Sequence, residues 1–139
     1  MIQETTQIRV RYGETDQMGY VYYGNYATYF EVARVELLRV NGITYKKLEE
    51  NGIMLPVLKL EVKYHKPAKY DDLLTIKTTV SKEPSITIDF DFEIYNEKGE
   101  LLTTGFTSLV FIDMKRNRPT RASQNILDLF HKNNKNETN

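Results

Sequence analysis

Two hydrophobic periods divide the chain. From Asn25 to Gly42, Tyr26, Tyr29, Phe30, Ala33, Leu37 and Val40 recur at helical spacing, with Glu31, Glu36 and Arg39 between them. Asn25 stands as the N-cap and Gly42 as the stop after Asn41. Val32, Val35 and Leu38 widen the apolar stripe, which predicts a helix wrapped on most sides. Thr44 to Gly52 reads as a second, short helix ending in glycine. Beyond it the period becomes two. "VLKLEVKYHKP" sets Leu58, Leu60, Val62 and Tyr64 against Lys59, Glu61, Lys63 and His65, and stops at Pro67. "LLTIKTTV" sets Leu74, Ile76 and Val80 against Thr75, Lys77 and Thr79. "ITIDFDFEIY" alternates most strictly, with Ile86, Ile88, Phe90, Phe92 and Ile94 on one face. "LLTTGFTSLVFIDM" carries Phe106, Val110 and Ile112 on one face and Leu109 and Phe111 on the other, the mark of a covered strand. A short strand, "QIRVRY" (7–12), precedes the long helix, and "SQNILDLFHK" closes the folded part as a helix capped by Ser123.

The order is strand, long helix, short helix, then four long strands. That predicts an α+β fold in which an antiparallel sheet curls around one buried helix. The 139 residues suffice for one domain, 1–131, followed by a polar tail, 132–139, expected to be disordered. Alternating strands leave sheet edges, and edge pairing between two copies is one way to close them.

Composition narrows the function. Nineteen basic and nineteen acidic residues balance, which argues against nucleic acid or a polybasic membrane contact as the main partner. No run approaches the roughly 18 apolar residues of a membrane helix. "MIQETTQIRV" has neither the basic start nor the apolar centre of a secretory leader, so a cytoplasmic protein is expected. The chain has no cysteine, and its two histidines, His65 and His131, lie far apart in sequence; no metal site is expected. His65 falls on the polar face of its strand and is expected to be exposed. Neither G-x-S-x-G, nor a P-loop, nor G-x-G-x-x-G is present.

What remains is "YGETDQMGYVYYGNY", Tyr12 to Tyr26, with one aspartate, three glycines and five tyrosines. Asp16 lies just ahead of a helix start, which presents unpaired backbone N–H groups and partial positive charge. Those suit a developing oxyanion. Gly19 and Gly24 permit close approach of backbone to a ligand. A carboxylate beside such N–H groups is a minimal acyl-transfer apparatus, too weak for amides. It is sufficient for thioesters, whose thiol leaving group has a pKa of roughly 8.5. The same aspartate serves equally as a turn former, and the tyrosines as packing.

These residues also carry a resemblance. "RVRYGETDQMGYVYYGNYATYFEVAR", Arg9 to Arg34, resembles the N-terminal signature of the hot-dog-fold acyl-CoA thioesterases. The branch is that of the 4-hydroxybenzoyl-CoA thioesterase-like and Tol-Pal-associated enzymes. "YHKPAKYDDLL" resembles that family's P-A-x-Y-D-D segment between two strands. The resemblance spans nearly the whole chain and implies a sheet wrapped around a long central helix. It implies hydrolysis of an acyl-CoA to a carboxylic acid and free CoA, with no cofactor beyond the CoA of the substrate. Asp16 would be nucleophile or general base. The backbone N–H of Tyr23 would polarise the thioester carbonyl, with Tyr23 to Tyr26, including Asn25, forming the helix start. Tyr12 would line the acyl end, and Glu31 would face the acyl group or partner Arg34. The site would lie at the interface of a homodimer or homotetramer. The CoA phosphates would lie near Lys82 or near the basic run Lys115, Arg116, Arg118 and Arg121, each of which is otherwise solvated surface charge. "PAKYDD" reads as a turn, with Pro67 ending one strand and Asp71 and Asp72 leading into the next. The rival readings are a thioesterase acting on acyl carrier protein, a hot-dog dehydratase, which relies on a histidine near this helix, and a non-catalytic acyl-CoA-binding or scaffold protein.

Overall fold

Among residues 1–137, which the computed structural model describes, the alternating segments form one five-stranded antiparallel sheet in the order β1-β4-β5-β6-β3. Its strands are β1 (Ile2–Arg9), β3 (Val57–Tyr64), β4 (Leu73–Val80), β5 (Thr87–Tyr95) and β6 (Leu101–Val110). Three two-residue strands, β2 (Ile53–Met54), β7 (Ile112–Asp113) and β8 (Arg118–Pro119), form a small second sheet. The helices are α1 (Asn25–Val40), α2 (Tyr45–Glu50) and α3 (Gln124–Glu137). This is an α+β hot-dog fold, the sheet wrapping the long helix α1.

The period-two pattern places Leu74, Ile76 and Val80 of β4 and Ile88, Phe90, Phe92 and Ile94 of β5 on the buried face. Helix α1 lays Tyr29, Phe30, Ala33 and Leu37 into the same core. Phe30 stacks on Phe92 with ring centroids 4.5 Å apart. On β6, Gly105 sits directly under the Phe30 ring, and a Cβ there would overlap it. Because the ring is fully buried, it has no room to retreat. Gly105→Ala is therefore expected to cost about 1–3 kcal/mol. The check is the urea midpoint; one matching the wild type would mean that the core repacks freely.

Several boundaries differ from the sequence reading. β1 runs over residues 2–9 rather than 7–12, since at a sheet edge "QETTQ" pairs through its backbone whatever its side chains. The Asp71 N–H bonds the Val10 carbonyl, and the chain then enters a single 3-10 turn at Tyr12–Glu14, so Tyr12 is not a strand residue. Gly24, not Asn25, precedes the first helical residue, because the Asn25 amide is used elsewhere. α1 is not wrapped on most sides: Val32 and Val40 are exposed and only Leu38 of the widened stripe is buried. The main sheet ends at Val110, where the Val110 N–H turns to the Pro56 carbonyl, and "NRPT" joins the β7–β8 hairpin instead of breaking a strand. Helix α3 runs through Glu137, past the boundary at residue 131 that the sequence suggested; 138–139 lie outside the described residues. No helix among the described residues is long and apolar enough to cross a membrane.

β3 departs most from its pattern. It is an edge strand, and Val57, Leu58, Leu60 and Tyr64 are all exposed, Leu58 at 66%.

Candidate functional site

The loop after the 3-10 turn folds around Asp16. Its N–H donates to the Tyr20 carbonyl at 2.8 Å, and its carbonyl accepts the Gly19 N–H at 3.0 Å. Gly19 takes a φ of 79°, which only glycine adopts freely. The Asp16 carboxylate accepts the N–H groups of Met18 at 2.9 Å and Tyr20 at 3.3 Å. Both contacts fall on Oδ1, so Oδ2 has no protein donor among the described residues. Asp16 is thus a turn former and a half-buried carboxylate at once.

The β3–β4 connection anchors this loop. The Val21 N–H donates to the Ala68 carbonyl at 2.8 Å, and Tyr20 bridges Lys69. "PAKYDD" is the expected turn: Asp71 has a φ of 68°, and the Asp72 carboxylate accepts the Lys69 N–H at 2.9 Å.

Two clefts meet at Asp16. One, of about 320 Å³, is lined with Tyr23, Tyr26, Tyr64, His65 and Lys66. The other, of about 720 Å³, carries Tyr12, Gln17, Gly19 and Tyr70. Tyr12 and Tyr70 meet edge to face at 5.6 Å. Burial pushes the Tyr26 hydroxyl above the ordinary phenol range, only partly opposed by the Ala68 backbone and Thr103. Tyr64 is likewise raised, by burial and then by Tyr23. Both therefore remain neutral hydrogen-bonding groups at physiological pH. His65 is exposed, as expected, and it also lines the cleft with Asp16, its Nε2 3.4 Å from Thr104 Oγ1.

Helix α1 begins beside the smaller cleft. The Asn25 N–H bonds the Tyr22 carbonyl and the Tyr26 N–H bonds the Tyr23 carbonyl. The N–H groups of Tyr23 and Gly24 meet no protein acceptor among the described residues. Tyr23 itself is 66% exposed, its ring tilted against Tyr22 at 4.7 Å. At Gly24 a Cβ would lie 2.9 Å from the ring of Tyr22, so another residue there would push that half-exposed ring aside.

One residue that the sequence reading passed over organises the region. Glu14 accepts the Arg11 N–H and the Tyr29 hydroxyl on Oε1, each at 2.9 Å, and the Arg11 guanidinium on Oε2 at 2.9 and 3.2 Å. Burial raises its pKa, but these donors outweigh burial and hold the carboxyl below its usual range. The one sequence signal was the spacing of Arg11 and Glu14, three apart, which matches a cap.

The other expected site residues lie apart from Asp16 within the chain. Glu31 is exposed on α1, beside a pocket of about 140 Å³ that also holds Leu60 and Thr107. Arg34 is buried, and its Nε donates to the Tyr45 hydroxyl at 3.1 Å rather than forming an ion pair with Glu31. Lys82 follows Val80, the end of β4 that pairs with Ile2, whereas the Asp16 loop adjoins the Leu73 end. Lys115, Arg116 and Arg118 occupy the β7–β8 hairpin and Arg121 follows it, beyond the Val110 end of β6, also opposite Asp16. No group of three or more His, Asp or Glu among the described residues is placed to hold a metal.

A sequence profile of the Thioesterase-like superfamily matches residues 10–130. The chain is 40% identical to a DHNA-CoA thioesterase from Staphylococcus aureus of known structure, covering 100% of this chain and 97% of that one, with a TM-score of 0.91. It is 34% identical over 113 residues to the putative acyl-CoA thioesterase YneP of Bacillus subtilis, covering 81% of this chain and 82% of the relative. It is 30% identical over 123 residues to the acyl-CoA thioester hydrolase YbgC of Escherichia coli, covering 88% and 92%.

Proposed function

The chain belongs to the thioesterase-like superfamily, and from that premise we propose that it is a thioester hydrolase releasing a carboxylic acid and free CoA from an acyl-CoA. The observation that carries this reading is the Asp16 carboxylate at the meeting of two clefts, one of them beside the unbonded N–H groups of Tyr23 and Gly24.

The thioester carbonyl enters between them. Its oxygen accepts the Tyr23 N–H, and charge that builds there in the transition state meets the positive end of α1. Asp16, through Oδ2, either takes a proton from an attacking water or attacks the carbonyl carbon itself; in the second case loss of the thiolate leaves an acyl-aspartyl anhydride, which water then hydrolyses to the acid and the free carboxylate. The thiolate departs without a general acid, its pKa being already near neutrality, roughly 8.5. The tyrosine faces of the smaller cleft favour a flat, aromatic acyl group, with the neutral hydroxyls of Tyr26 and Tyr64 available to its polar substituents.

The functional unit in this reading is a homodimer. The apolar, unpaired edge of β3 is what a second copy covers. Antiparallel pairing of two β3 strands about a twofold axis sets the Tyr64 end of one copy beside the Val57 end of the other. The partner's basic hairpin is then within range of the CoA phosphates, which no single chain achieves. We place the protein in the cytoplasm, where the CoA pool is.

The test is CoA release followed with a thiol-trapping reagent, to which this cysteine-free chain adds no background. Steady release is expected from a panel of aromatic, short and long acyl-CoAs, fastest from the aromatic ones. Absence of turnover across the panel would turn the reading toward a non-catalytic acyl-CoA-binding protein.

A further inference from the structure

The Asp16 loop and the start of α1 must stand at a fixed separation if the thioesterase reading holds, because a carboxylate and an oxyanion donor act on atoms of one carbonyl. Glu14 is where the two are joined. Its backbone carbonyl accepts the Tyr22 N–H and the Asn25 side-chain amide, each at 2.8 Å. Tyr22 precedes the free Tyr23 N–H, and Asn25 is the first residue of α1. Its carboxylate reaches Tyr29, one turn further along the helix, and turns back to Arg11 at the exit from β1. Two residues later in the chain comes Asp16 itself. The Glu14 side chain is 15% exposed and lines neither cleft that holds Asp16.

We propose that Glu14 is a positioning residue: it clamps the Asp16 loop to the N-terminal turn of α1 and thereby sets the distance from the carboxylate to the Tyr23 and Gly24 N–H groups. It touches no substrate atom. The clamp is specific to a carboxylate. Four donors from Arg11 and Tyr29 converge on its two oxygens, so a neutral isostere must set an NH₂ group against at least one of them. Tyr29 is fully buried, so its hydroxyl has no solvent to turn to when Glu14 is altered.

The proposal rests on the thioesterase reading, and the experiment separates the two. Glu14→Gln and Tyr29→Phe, singly and together, are assayed for kcat and KM on an acyl-CoA that the wild-type protein hydrolyses. Backbone hydrogen exchange is followed in the same samples. For Glu14→Gln the expected result is a fall in kcat of roughly ten- to a hundredfold with KM within about twofold. The Tyr22 and Asn25 amides should exchange faster, with those of β5 unchanged. Tyr29→Phe should lower kcat in the same direction by less, and the double variant should lose no more than Glu14→Gln alone. Wild-type kcat in both single variants would overturn the proposal. So would acceleration of β5 exchange equal to that of the loop, which marks general destabilisation. If the wild-type protein releases CoA from no acyl-CoA, the thioesterase reading fails on its own. The exchange data then still decide whether Glu14 holds the loop.

Discussion

Asp16→Asn is expected to reduce CoA release by about a hundredfold or more while leaving the melting temperature close to that of the wild-type protein. The two halves of this expectation have different causes. The loss of rate follows from removing the only carboxylate that, among the described residues, lines the two clefts, the smaller of which also holds Tyr23. The preserved stability follows from the turn. Oδ1 accepts the Met18 and Tyr20 N–H groups, and an asparagine carbonyl oxygen accepts the same two bonds. Asparagine is therefore a cleaner probe than alanine, which would release both N–H groups and loosen the loop. Initial rates with a thiol reagent and a thermal melt on the same preparation provide the check. Undiminished turnover would remove Asp16 from the mechanism altogether.

The second large effect concerns assembly. The wild-type protein is expected to sediment as a dimer or larger. A Leu58→Lys, Leu60→Lys double variant is expected to sediment as a monomer and to lose most of its CoA release. Both side chains are exposed in the single chain, at 66% and 44%, so their replacement removes little of the protomer's own packing. Charged residues on an edge strand oppose pairing with another edge. Far-ultraviolet circular dichroism should match the wild type, which separates lost assembly from lost fold. A wild-type protein that sediments as a monomer and is fully active would contradict the shared site.

The fold was largely legible because its signals were local. Strict alternation in β4 and β5 follows from one buried face, and Leu74, Ile76, Ile88, Phe90, Phe92 and Ile94 all lie where the period put them. The helix stop at Gly42 was legible because a φ of 85° calls for glycine. What escaped was set by distant partners. β1 is held along its length by β4, so its polar residues carried no strand signal. β3 alternates in sequence yet buries almost nothing, because period cannot tell a face that the rest of the chain covers from one that it leaves open. At the site, Asp16 and the helix start are close in sequence and were found together. His65 enters the cleft only because the β3–β4 connection folds back onto the loop through Ala68, some fifty residues from Asp16. Glu14 escaped because its partners, Arg11, Tyr22, Asn25 and Tyr29, follow no single period.

The pairing of β1 with β4 also bears on how the chain reaches this structure. Ile2 pairs with Val80 and Arg9 with Leu73, so the first strand to be synthesised waits for the fourth, β4, to emerge before it has a neighbour. Helix α1 and the hairpins of β4, β5 and β6 join near neighbours and need no such wait. Closing the long β1–β4 loop costs chain entropy before any contact repays it, which favours late closure of this edge and slower folding than a helical bundle of equal length. Until then, β4 presents a bare edge of threonine, isoleucine and valine to other chains. During synthesis, then, the vulnerable margin of the sheet is β4, although in the finished protomer the apolar open edge is β3.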